Sequence, residues 1–86
     1  MSNTNKSERQ SLIDALSKDG YSNLKELPDG TVVGTSELIF TRALYVGLNR
    51  YGWDKRFCFK DRELAVKELD KLSDGDSEPT GYIARR

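Results

Sequence analysis

The chain has 86 residues, a single cysteine, no histidine, and 14 basic against 14 acidic side chains. Without histidine, Ser-His and Cys-His nucleophilic sites, histidine-ligated metals and imidazole acid–base catalysis are excluded; with one cysteine, so are an internal disulfide and a thiolate zinc site. The length makes one small domain near the lower limit for an independent core, and 36% hydrophobic beside 33% charged residues suits a folded unit with polar flanks.

No apolar run is long enough to cross a bilayer, and the opening Met1-Ser-Asn-Thr-Asn-Lys lacks the apolar stretch of a secretory signal. A cytoplasmic protein with no membrane partner is expected. The balanced charges are unevenly placed. From Thr41 to Arg62, six basic residues (Arg42, Arg50, Lys55, Arg56, Lys60, Arg62) face Asp54 and Asp61, whereas from Glu63 to Thr80 six acids oppose Lys67 and Lys71. Such asymmetry can orient a partner.

In chain order, residues 1–6 are polar and expected to be disordered, leaving 7–86 as a single domain. Ser7 can cap a short amphipathic helix that carries Leu12, Ile13 and Leu16 and stops at Gly20. Tyr21 to Leu27 has no decisive pattern. Pro28-Asp29-Gly30 is a turn, since Pro presets φ and Gly accepts a positive one. Thr31 to Gly34 reads as a brief extended piece, and Glu37 to Thr41 as the lead into a further strand. A helix over Ser36 to Leu48 competes, but Ile39, Phe40, Thr41, Tyr45 and Val46 are β-branched or aromatic and Gly47 disfavours a helix.

The stretch Ala43 to Phe59 reads as a β-hairpin, two apolar-alternating runs around a loop at Asn49 to Gly52. Alternation of side chains then pairs Leu48 with Trp53, Val46 with Lys55 and Leu44 with Phe57 on an apolar underside, where the Lys55 stem lies along the face and its ammonium reaches water. Ala43, Tyr45, Gly47, Asp54, Arg56 and Cys58 form the other, mixed face, expected to meet solvent or a partner.

Asp61 caps a helix from Arg62 to Leu72 with Leu64, Ala65, Leu69 and Leu72 in one stripe and Glu63 and Lys67 spaced for an i,i+4 pair. Ser73 to Thr80 is a solvated linker, and Gly81 to Arg86 a last strand beside the hairpin. The fold expected is α+β: a small, mainly antiparallel sheet of three or four strands, in α-β-β-α-β order, with both helices on one face.

Candidate chemistry is sparse. Cys58, between two phenylalanines, reads as packing rather than as a reactive thiol. Asp74, Asp76 and Glu78 lack the spacing and distant bidentate Glu of a calcium loop, and Gly30 and Gly34 lack the Lys and helix of a phosphate loop. Neither a metal nor another cofactor is called for, and a carboxylate enzyme would need a pocket that so small a domain can scarcely build. Binding remains. Tyr45, Arg50, Tyr51, Trp53 and Arg56, on or beside the wet hairpin face, are of the residue types that dominate protein interfaces. The same basic and aromatic interleaving over 50–57 supports the alternative of a nucleic-acid binder, against which stand the zero net charge and a pI below neutrality.

The strand ALYVGL followed by a Gly/aromatic turn, Arg56-Phe57-Cys58-Phe59, a helix with Ala65 and Leu69, and the ending Pro79-Thr80-Gly81-Tyr82-Ile83 together resemble small proteins of bacteriophages and prophages, over about Phe40 to Ile83. The resemblance carries no catalytic residues. It implies a phage or mobile-element accessory protein that binds and modulates or inhibits a host protein complex. Homodimerisation through a sheet edge or the wet face is compatible with every one of these readings.

Overall fold

The computed structural model describes the backbone of residues 2–85 and the side chains from Gln10 to Arg85. Helix α1 (Ser2–Lys18) is followed by strands β1 (Ser22–Glu26), β2 (Val32–Glu37), β3 (Arg42–Val46) and β4 (Lys55–Phe59), then helix α2 (Arg62–Asp70) and the short strand β5 (Ala84–Arg85). The strands form one antiparallel meander in the order β1-β2-β3-β4-β5. The α+β class is as expected, with five strands in place of three or four and with four of them, in three successive hairpins, ahead of α2. The helix α1 starts ahead of Ser7 and takes in residues 2–6; Met1, the first of the segment expected to be disordered, and Arg86, at the end of the last strand, lie outside the described residues. The undecided stretch before the Pro28 turn is β1.

The hairpin register agrees with the alternation read from the sequence: Leu44 lies opposite Phe57, Tyr45 opposite Arg56 and Val46 opposite Lys55. Leu44, Val46, Phe57 and Phe59 form one core with Leu27 and Val33, covered by Ala65, Leu69 and Leu72 of α2 and the residues after it. At this face the Lys55 ammonium, expected to reach water, donates instead to the Gly75 carbonyl at 3.3 Å. Asp61 caps α2, accepting from the Leu64 N–H at 2.9 Å. The one buried hydroxyl of this core, on Thr35, is satisfied by Asn23 Oδ1 at 2.8 Å, which Asn23 reaches from a left-handed backbone position (φ 55°) where β1 bulges.

The opposite face overturns two expectations. It is not wet, and the helices do not share one side of the sheet. Val32, Ala43, Tyr45 and Leu48 make a second core with Leu16, and Leu12, Tyr21, Leu24 and Leu38 pack around it. Tyr45 is only 4% exposed. The physical reason lies in α1: its apolar residues Leu12 and Leu16 need a surface to dock on, because a short helix is marginal in water without one, and α2 already occupies the other face. A sheet between two helices buries both parities of its central strand, and Ala43, Leu44, Tyr45 and Val46 are all buried.

A third difference concerns Leu48 and Trp53, which belong to the Tyr45 side rather than to the underside. The alternation breaks at Gly47, whose φ of +80° no other residue adopts readily. Gly47 and Leu48 both donate to the Val32 carbonyl, at 3.0 and 2.9 Å, so the chain bulges and Leu48 turns to the opposite core. A Cβ at Gly47 would collide with the Asp54 carboxylate.

Leu38 to Thr41 is also not the lead into a strand. It is the β2–β3 turn, closed by the Leu38 N–H on the Thr41 carbonyl at 2.8 Å, with Ile39 and Phe40 pointing outward.

The segment Ser73 to Thr80, read as a solvated linker, is fastened at both ends. Asp29 in the β1–β2 turn accepts from the Gly75 N–H at 2.8 Å and the Thr31 N–H at 3.0 Å, and these bonds, Gly75 first, hold its pKa below the ordinary value. Glu68 is buried on α2 and accepts from the Thr80 N–H (2.8 Å), the Thr80 hydroxyl (3.1 Å) and Lys71 Nζ (2.9 Å). Its pKa is lowered too, by the Thr80 N–H foremost and then by Lys71, against the opposing effect of burial. A group lowered in the folded state contributes stability in full above its ordinary pKa and loses that contribution as pH falls through the lowered one. Acidification below about pH 4 should therefore destabilise the protein progressively, and Glu68→Gln should cost about 1–3 kcal/mol at neutral pH while flattening the acid profile. Urea midpoints of both proteins at neutral and acid pH measure this.

Candidate functional site

Two residues separate the paired positions Asn49 and Gly52 at the β3–β4 turn. The Asn49 N–H donates to the Gly52 carbonyl at 2.9 Å, and Asn49 Oδ1 accepts from the Tyr51 N–H at 2.7 Å. This side-chain bond, for which Asn is suited by its length, fixes the turn from within. Arg50 and Tyr51 are thereby held at the tip, with Tyr51 99% exposed.

Behind the tip stands an aromatic series. The Tyr21 ring meets Tyr45 edge-on at 5.1 Å and 87°, and Tyr45 in turn lies 4.9 Å from Trp53 at 59°. The Arg56 guanidinium sits 5.3 Å from the centre of the Trp53 ring, within the range of a cation–π contact. At the inner end the Tyr45 hydroxyl shares a 2.8 Å hydrogen bond with Ser36. Burial pushes the Tyr21 phenol up from its ordinary pKa, with smaller contributions from Tyr45 and Asp19. Trp53, at the outer end, is 39% exposed.

The five residues singled out in the sequence therefore fall into two layers. Arg50, Tyr51 and Trp53 are exposed and Arg56 is half-buried; Tyr45 is a pedestal inside the fold. Tyr45 is therefore removed from the contact surface: α1, Tyr21 and Trp53 enclose it. The Arg56 Nε is buried with no hydrogen-bond partner among the described residues, and the guanidinium lies against the Trp53 ring. Tyr21 was missed, because nothing in the stretch 21–27 shows that β1 folds back to set its neighbour against Tyr45.

The basic stretch 41–62 is divided by the hairpin. Arg50 and Arg56 lie toward the Tyr51 end, together with Lys55, which is engaged with Gly75; Arg42, Lys60 and Arg62 lie toward the other. Cys58 is buried. Asp74 Oδ1 accepts from the Asp76 N–H (2.9 Å) and the Ser77 hydroxyl (3.1 Å), so it shapes its own turn. Among the described residues no three Asp, Glu or Cys side chains converge as a metal site, and no helix is long and apolar enough to cross a membrane.

The fold defines a small α+β protein, and at this hairpin end Arg50, Tyr51 and Trp53 are presented outward. No protein-family model, curated protein or solved structure matches the chain.

The two layers respond differently to truncation. Tyr45→Ala should destabilise the protein by about 3–5 kcal/mol, since it empties the second core and strands Ser36, whereas Tyr51→Ala should change stability by less than about 0.5 kcal/mol. Gly47→Ala should fall with Tyr45→Ala in direction, and chemical denaturation followed by Trp53 fluorescence compares all three.

Proposed function

We propose that this chain is a non-enzymatic protein-interaction module that binds its partner with the β3–β4 hairpin end, through Tyr51, Arg50, Trp53 and the outward side of Arg56. What carries the reading is the Tyr51 ring, almost wholly exposed on a turn that is rigid beneath it. An aromatic ring has only two rotatable bonds to lose on binding once its backbone is held, and Tyr, Trp and Arg supply most of the energy at protein interfaces. Tyr45 serves this surface from below by positioning Trp53. In keeping with the resemblance to bacteriophage and prophage proteins, the partner is a host protein complex in the cytoplasm, which the module modulates or inhibits, alone or as a homodimer.

A second reading rests on the same exposed rings. Tyr51 and Trp53 beside Arg50 and Arg56 could stack bases and hold phosphates of a single strand. The two are separable by salt: phosphate contacts release counterions, so that affinity falls steeply with ionic strength.

Tyr51→Ala combined with Arg50→Glu should leave the unfolding midpoint within a few degrees of wild type, an allowance about the size of a 1 kcal/mol change. The same double variant should lose the partner that immobilised wild-type protein retains from a bacterial host lysate. Equal retention by the two proteins counts against the hairpin end. Salt-sensitive retention of a labelled oligonucleotide, lost on neutralising Arg50 and Arg56, would favour the second reading.

A further inference from the structure

The far end of the sheet carries a feature that the proposed interaction surface does not use. Ile39 and Phe40 form the tip of the β2–β3 turn and are 89% and 90% exposed. Turn chemistry does not ask for them: among the described residues Asn23 alone of the non-glycines has a positive φ, so the tip accepts the polar residues that tight turns ordinarily carry. Nor does packing, since Leu38 before the tip reaches the second core while Ile39 and Phe40 join neither core among the described residues.

The register shows what surrounds them. The row Glu37–Arg42–Phe59 crosses the sheet at this end, and the Ile83 N–H on the Cys58 carbonyl at 2.8 Å places the exposed Ile83 on the far side of β4. Lys60 and Arg62 follow directly from β4. Of the acids here, Glu37 pairs with Arg42 at 3.5 Å and Asp61 caps α2, while Glu63 follows Arg62 on the exposed side of α2. Lys60 and Arg62 are exposed and have no ion pair among the described residues. Between them and the tip lies a shallow, polar depression of about 200 Å³.

We propose that the Ile39–Phe40 tip is an interfacial anchor that docks this end of the protein on an anionic lipid surface, with Lys60 and Arg62 meeting the headgroup phosphates. Two features favour lipid over a protein partner. A two-residue projection offers far less than the roughly 800 Å² per partner of a stable protein interface, whereas a fluid interface accepts a narrow tip without shape complementarity. The combination of apolar side chains with adjacent unpaired cations is also what gives peripheral attachment to anionic membranes. Binding of this kind is reversible and concerns a different end of the sheet from the hairpin surface, so the two can fail independently.

The test places the sole tryptophan at the tip, using Phe40→Trp in a Trp53→Phe background, and adds vesicles of phosphatidylcholine with or without phosphatidylglycerol. The expected result is a blue shift of emission and co-sedimentation with the anionic vesicles alone, weakening as salt is raised. In the wild-type background, Ile39→Ser with Phe40→Ser should lower partitioning about tenfold or more, and Lys60→Glu with Arg62→Glu should abolish the preference for phosphatidylglycerol. No shift and no sedimentation with either vesicle would overturn the proposal. So would binding that survives loss of Ile39 and Phe40, or a wild-type dimer, seen by sedimentation, that the serine variant dissolves without any vesicle binding.

Discussion

The burial of β3 on both faces is the constraint on which the rest of this protein depends. Ala43 and Tyr45 press toward α1 while Leu44 and Val46 press toward α2, and all four are buried. A sheet sealed on both sides has its register specified twice over, because a slip of one residue would exchange two sets of side chains of different shape. The hydrogen bond between Tyr45 and Ser36 adds a polar term to the same specification. Rigidity at Asn49–Gly52 follows, since the turn is anchored to the best-fixed strand in the molecule.

Small domains commonly use disulfides or metals to supplement a limited core. This chain uses carboxylates. Asp29 and Glu68 bind backbone N–H groups at either end of the segment after α2, which lets that segment close over the first core and delivers β5 to the edge of β4. Acids that look on paper like a solvated charge run are in part structural acceptors, so the charge asymmetry of the sequence does not translate into an acidic surface of equal strength.

The antiparallel hairpin has a consequence for function as well. A single basic run, folded back on itself, becomes two separate clusters, one beside Tyr51 and Trp53 and the other beside Ile39 and Phe40. Each cluster thus acquires its own apolar or aromatic companion. The sheet thereby acquires two projecting ends of different chemistry.

What the sequence determined by itself was local. The Asp61 cap, the Leu64/Ala65/Leu69/Leu72 stripe and the Pro28 turn depend on neighbours a few residues apart, and alternation around a short loop sets the register that pairs Leu44 with Phe57. Of the exposed part of the candidate site, Arg50 and Tyr51 at the loop were legible for the same reason, whereas Trp53 was read onto the apolar underside and stands on the Tyr45 side instead. The tertiary structure decided which face was wet. Arg56 and Asp54 made the Tyr45 side look solvated, yet the near-continuous apolar run Ala43 to Val46 is also what a strand buried on both sides requires, and only the docking of α1 selects between them. The Gly47 bulge, the outward turn of Ile39 and Phe40 and the meeting of Tyr21 with Tyr45 arise from contacts between segments distant in the chain, which no periodicity within one segment encodes.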